Sequence, residues 1–106
     1  MEIKTVDVKT LQEWIDKDEA VIVDVREPAE HQKQSIPGST LVSMGSLSLE
    51  ALPNFKGKKL VVHCGGGGRA GRACEALLLA DPGLEVYNLK GGLRSWAAAG
   101  NHVKTS

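Results

Sequence analysis

Short β-branched apolar runs alternate along the chain with longer amphipathic stretches. Residues 20–25 (AVIVDV) and 59–63 (KLVVH) are runs of the first kind. Both are short and apolar at most positions, which predicts strands buried on both faces. Asp7 precedes a segment in which Leu11, Trp14 and Ile15 share one helical face, so an Asp-capped helix is expected there. Glu27-Pro28 predicts a turn or short helix, with Pro28 suited to a first helical position. Ile36-Pro37-Gly38 reads as a break. A short strand is expected over residues 39–43 and a short helix over 47–52. Residues 69–80, rich in Ala and Leu, predict a longer helix that Asp81-Pro82-Gly83 stops. Residues 85–89 are expected to form the last strand, and Gly91-Gly92 to lead into a helix carrying Trp96. Strands alternating with helices predict an α/β fold, its largely parallel sheet covered on both faces.

Length adds one constraint: 106 residues fit a single domain, 1–106. Charge and aromatic content remove whole classes of partner. Thirteen Lys and Arg balance thirteen Asp and Glu, which gives no driving force toward nucleic acid or an anionic membrane. Aromatic residues are 4% of the chain, too few for a base-stacking platform. No apolar run approaches the ~20 residues of a membrane span, and the first residues lack the apolar stretch of a signal peptide. A cytoplasmic location is therefore expected. Cys64 and Cys74 lack zinc-like spacing, no metal constellation is legible, and no cofactor is expected.

The chemistry concentrates in His63-Cys64-Gly65-Gly66-Gly67-Gly68-Arg69. Cys64 follows a predicted strand and precedes a predicted helix, the place where parallel sheets bind ligands. Glycines at 65, 66, 67 and 68 permit backbone angles closed to other residues. Their amides can curl around an anion, and the helix that follows adds free N–H groups. A thiolate or persulfide at Cys64 is expected to be favoured there. Arg69 either faces this pocket or pairs with a structural acid. His63 is expected to point to the opposite sheet face, which argues against a Cys–His dyad. Two nucleotide motifs fail on inspection. Gly66, Gly68 and Gly71 satisfy GxGxxG, but no acidic residue ends the next strand as a ribose ligand would. The P-loop variant has Arg72 for its lysine and Ala73 for the magnesium-binding hydroxyl.

The chain resembles the single-domain rhodaneses over nearly its whole length. Asp24-Val25-Arg26-Glu27-Pro28-Ala29-Glu30 with Ile36-Pro37-Gly38 resembles the upstream motif of that family. Cys64 to Arg69 resembles its active-site loop, and Gly91-Gly92 with Trp96 and Gly100 its C-terminal motif. The resemblance implies a three-layer α/β/α domain with a five-stranded parallel sheet. It implies sulfur transfer from thiosulfate or a low-molecular-weight persulfide, through a persulfide on Cys64, to cyanide, a thiol or a protein acceptor. The family often has an aromatic residue where this chain has His31, and Gly-His where it has Gln34-Ser35; these departures fall on the rim of the pocket. Asp24, Arg26 and Glu30 are expected to form a charge cluster holding that rim. The same fold carries phosphatases and arsenate reductases, whose C-x5-R loop is one residue longer than Cys64 to Arg69. A sulfur-carrying or regulatory module docking on a partner is the non-enzyme alternative.

Overall fold

The computed structural model describes residues 3–66 and 68–105. Its elements in chain order are β1 (Lys4–Val6), α1 (Val8–Asp16), β2 (Ala20–Asp24), α2 (Pro28–Lys33), β3 (Gln34–Ser35), β4 (Thr40–Leu41), a 3-10 turn (Met44–Ser46), β5 (Lys59–His63), α3 (Gly68–Ala80), β6 (Val86–Leu89), α4 (Gly92–Ala98) and β7 (Lys104–Thr105). The first helix starts where its cap predicts: Asp7 Oδ1 accepts the Thr10 N–H at 2.8 Å. Pro28 opens α2; the Glu27 N–H donates to Glu30 Oε1 at 3.0 Å, the return half of a capping box, and the Glu30 N–H donates to Glu27 O at 3.0 Å.

Five strands form one sheet in the order β1-β6-β5-β2-β4, and every pairing in it is parallel. β5 is the centre, bonded to β2 on one side and β6 on the other. Alternation along it divides the core. Leu60 and Val62 face α3, with Ala70, Ala73, Cys74, Leu77 and Leu78. Val61 faces the other layer, with Leu11 of α1 and Leu93 and Trp96 of α4. The result is three layers, α/β/α. Each Val or Leu fully buried this way contributes roughly 1.5–3 kcal/mol.

The connections run in opposite directions from the centre. After β2 the chain moves outward to β4, and after β5 it crosses through α3 to β6. The crevice between the carboxyl ends of β2 and β5 is therefore the switch point at which parallel sheets bind ligands. Asp24 and His63 sit in register there, and Cys64 is the next residue.

Three expectations need correction. Residues 47–52 form no helix. They make isolated turn bonds, Ala51 N to Ser48 O and Leu52 N to Leu49 O, while Leu47, Leu49 and Leu52 pack against the α3-side core. Pro53 also disfavours a helical Leu52. The fifth strand is supplied by Lys4–Val6, in a stretch given no element from its sequence. The strand beginning at Val86 is not the last, since β7 follows and pairs antiparallel with β3. No helix among the described residues is long and apolar enough to cross a membrane.

Candidate active site

Cys64 leaves the end of β5 with only 1% of its surface exposed. Its carbonyl and that of Gly65 are both taken by α4. Leu93 N–H donates to Cys64 O at 2.8 Å, and Arg94 N–H donates to Gly65 O at 3.1 Å. In a trans peptide the N–H points away from the C=O of the same plane. The amides of Gly65 and Gly66 are therefore turned away from α4.

The close approach of α4 rests on two glycines. Gly91 has φ +76° and Gly92 φ +58°, both left-handed. A β-carbon on Gly92 would lie 2.8 Å from Gly65 O and 2.9 Å from Gly65 C, and closer still to Cys64 O. The unusual angles expected within the loop itself are not found at Gly65, Gly66 or Gly68, none of which has a left-handed φ. A β-carbon would fit at all three, its nearest neighbour being Arg69 Nη2 at 3.5 Å from position 65. Only arginine side chains border positions 65 and 66, and position 68 is open; among these glycines the left-handed angles lie in the turn at 91 and 92. Gly67 lies outside the described residues.

Charged side chains tie the loop to the neighbouring segment. Arg69 donates to both oxygens of Glu30 on α2, at 2.7 and 3.1 Å. This guanidinium holds the Glu30 carboxyl down at about 2. Deeper, Arg26 forks onto the fully buried Asp24 with bonds of 3.0 and 2.8 Å, and also donates to Gln34 O. Burial opposes the charge on Asp24, but the Arg26 and His31 bonds outweigh it and its pKa stays below the ordinary value. His31 donates from Nδ1 to Asp24 Oδ2 at 2.8 Å.

His63 is fully buried, and its Nδ1 lies 3.2 Å from Cys64 O. A carbonyl only accepts, so Nδ1 carries the proton; burial lowers the pKa of this ring. Cys74 is buried on α3, where desolvation, with the nearby charge of Cys64 adding, pushes its thiol up to about 12.

The Glu30–Arg69 pair has a consequence for acid stability. A carboxyl lowered from 4.5 to about 2 binds more protons in the unfolded chain than in the folded one at the pH values between them. Its stabilisation is therefore complete above the unfolded value and lost as pH falls toward 2. Both side chains are more than one-third exposed, so screening limits the pair to about 1 kcal/mol or less. Glu30→Gln should flatten the acid limb of stability against pH between those values. Urea unfolding across the range checks this, and an unchanged slope would contradict it.

The sequence marks Arg69 as the cation at the loop and gives Arg94 no role. Arg94 is distant in sequence, yet α4 brings its guanidinium to the loop. Its Nη1 lies 3.8 Å from where a Gly66 β-carbon would be. With Gln34, Gly65, Leu93 and Ala97 it lines a pocket of about 340 Å³. The available signal was the spacing of Arg94 from the Gly91-Gly92 turn.

A family profile described as Rhodanese-like domain matches residues 7–99. The chain belongs to the rhodanese-like family. A sulfurtransferase of Allochromatium vinosum is 30% identical over 99 residues, covering 92% of each chain. An uncharacterized protein of Synechocystis, slr1261, is 36% identical over 97 residues, 91% of this chain, which spans only 53% of that relative. A solved rhodanese-related protein of Thermoplasma volcanium superimposes with a TM-score of 0.82 at 30% identity, covering 97% of this chain and 99% of its own. The rhodanese-like fold, with a five-stranded parallel sheet between helical layers, thus agrees with the expectation drawn from the motifs.

Proposed function

We propose that this rhodanese-like domain is a sulfurtransferase that carries sulfane sulfur on Cys64. The observation that supports it most is the placement of Cys64: at the end of the central strand, in the switch-point crevice, with its own carbonyl and that of Gly65 bonded to α4. The Cys64 thiolate attacks the outer sulfur of a donor. A sulfur–sulfur bond forms as the donor's own bond breaks, and sulfite or a thiolate leaves with the electron pair. Cyanide or a thiolate then attacks the outer sulfur, the bond to Cys64 breaks, thiocyanate or a new persulfide forms, and Cys64 departs as thiolate. The amides of Gly65, Gly66, Gly67 and Gly68 hold the anionic persulfide. Arg69 braces the loop through Glu30. A cytoplasmic setting, with a small-molecule or protein thiol as acceptor, completes the reading.

Intact-mass analysis tests it. The reduced protein should gain one sulfur atom from thiosulfate or from glutathione persulfide, and cyanide should remove it as thiocyanate. No gain from either donor would overturn the reading. Positions 65 to 68 carry no basic side chain of their own to grip thiosulfate, and the pocket of about 340 Å³ beside Gly65 has room for a bulkier donor. A low-molecular-weight persulfide should therefore load Cys64 at least as efficiently as thiosulfate by kcat/KM. Tight thiosulfate saturation without loading from glutathione persulfide would reverse that order.

A further inference from the structure

We propose that Arg94 and the pocket it lines recognise the carboxylate of an organic thiol or persulfide substrate, a specificity that rests on the sulfurtransferase reading. Two of the arginines at this end of the sheet are committed. Arg69 is held by Glu30 and Arg26 by Asp24. Arg94 is exposed and its side chain has no hydrogen bond or ion pair with any described residue. Its backbone is nonetheless fixed to the loop through the bond to Gly65 O. Its guanidinium reaches Gly66, two positions beyond Cys64.

The pocket beside it joins apolar and polar walls. Leu93 and Ala97 supply the first, Gln34 and the Arg94 guanidinium the second. At about 340 Å³ it falls within the range of small-molecule sites and is far larger than cyanide or thiosulfate requires. It suits a short carbon body lying along Leu93 and Ala97, with sulfur directed to Cys64 and a carboxylate at the far end. A planar guanidinium matches a carboxylate with two parallel hydrogen bonds. The formal charge of the chain is zero, so attraction at this place is local to Arg94 and not a property of the whole surface.

The test uses two acceptors of similar size, 3-mercaptopropionate with a carboxylate and 2-mercaptoethanol without one. Cys64 is loaded to completion, and its discharge in a single turnover is followed by intact mass. Arg94→Ala should slow discharge by 3-mercaptopropionate about tenfold, the worth of a charge-assisted pair. Discharge by 2-mercaptoethanol should slow by less than about twofold, since it brings no carboxylate for Arg94 to bind and its attacking thiolate meets only a screened charge there. Arg94→Lys should fall between Ala and wild type with the carboxylate acceptor. Arg72→Ala removes the same charge from the exposed side of α3 and should change neither rate. Equal slowing of both acceptors by Arg94→Ala, or no slowing of either, would overturn the proposal. A wild-type protein that never loads would overturn the sulfurtransferase reading instead. Carboxylate recognition would then be read by titrating S-methyl-3-mercaptopropionate against the Arg94 Nε–H resonance, and absence of a shift there would overturn it too.

Discussion

Cys64→Ser should reduce sulfur transfer by at least about 10³-fold, to the level of the uncatalysed reaction. A serine hydroxyl at the end of β5 can occupy the same space but cannot hold a transferable sulfur. The other thiol offers no replacement. Cys74 is on α3 with no exposed surface, and its thiol, pushed up to about 12, has almost no thiolate at neutral pH. Cys74→Ser should leave turnover nearly unchanged. It should lower stability by about 1 kcal/mol, because it places a hydroxyl among Ala73, Leu77 and Leu78. Donor-dependent thiocyanate formation and intact mass, measured on both variants, separate the two cysteines. Sustained turnover by Cys64→Ser, or loss of loading in Cys74→Ser, would assign the nucleophile elsewhere.

The two thiols were distinguishable in the sequence because their local patterns differ. Cys64 interrupts a strand-to-helix junction, and Cys74 lies among Ala and Leu at helical spacing. The central strands were legible for the same reason. KLVVH is buried on both faces, and its apolar run ends where β5 ends. Lys4–Val6 carries far less signal. Only Val6 of its three residues is buried, so an edge strand here looks like any polar segment. The leucines at 47, 49 and 52 misled for the opposite reason. They do face the core, but as an irregular segment draped over it, and burial alone does not specify a helix.

The proposed site was legible as a cysteine and a loop at a strand end, and illegible wherever tertiary contact defines it. His31 gains its meaning from Asp24, seven residues earlier, and Arg69 from Glu30 on another element. Arg94 reaches the loop only because α4 docks on the Cys64 and Gly65 carbonyls. The run of four glycines predicted unusual angles that its described members do not show. Its described members occupy angles open to any residue, while the separate pair at 91 and 92 holds the left-handed ones. Composition marks both glycine clusters equally; the neighbour across the gap is what makes Gly92 obligatory.

Gly92→Ala should therefore harm the protein more than Gly66→Ala, although Gly66 belongs to the loop and Gly92 does not. At position 66 an added β-carbon meets only the far end of Arg94, at 3.8 Å. Position 92 combines a left-handed φ with backbone atoms of residues 64 and 65 inside van der Waals contact of the new carbon. A non-glycine residue at such an angle costs about 1–3 kcal/mol before any clash is counted. The obstructing atoms are main chain, so no side chain can rotate out of the way. Relief requires α4 to retreat, which stretches the Leu93 N–H bond to Cys64 O and the Arg94 N–H bond to Gly65 O. Gly92→Ala is expected to lose about 2–4 kcal/mol of stability. For a domain this size each kcal/mol lost lowers Tm by roughly 4–8 °C. Protein that remains folded should transfer sulfur at least about tenfold more slowly, since the loop no longer keeps its geometry. Gly66→Ala should stay within about 1 kcal/mol of wild type. Thermal unfolding and single-turnover loading of both variants check the contrast. A Gly92→Ala protein with normal melting and loading would show that α4 does not clamp the loop through this contact.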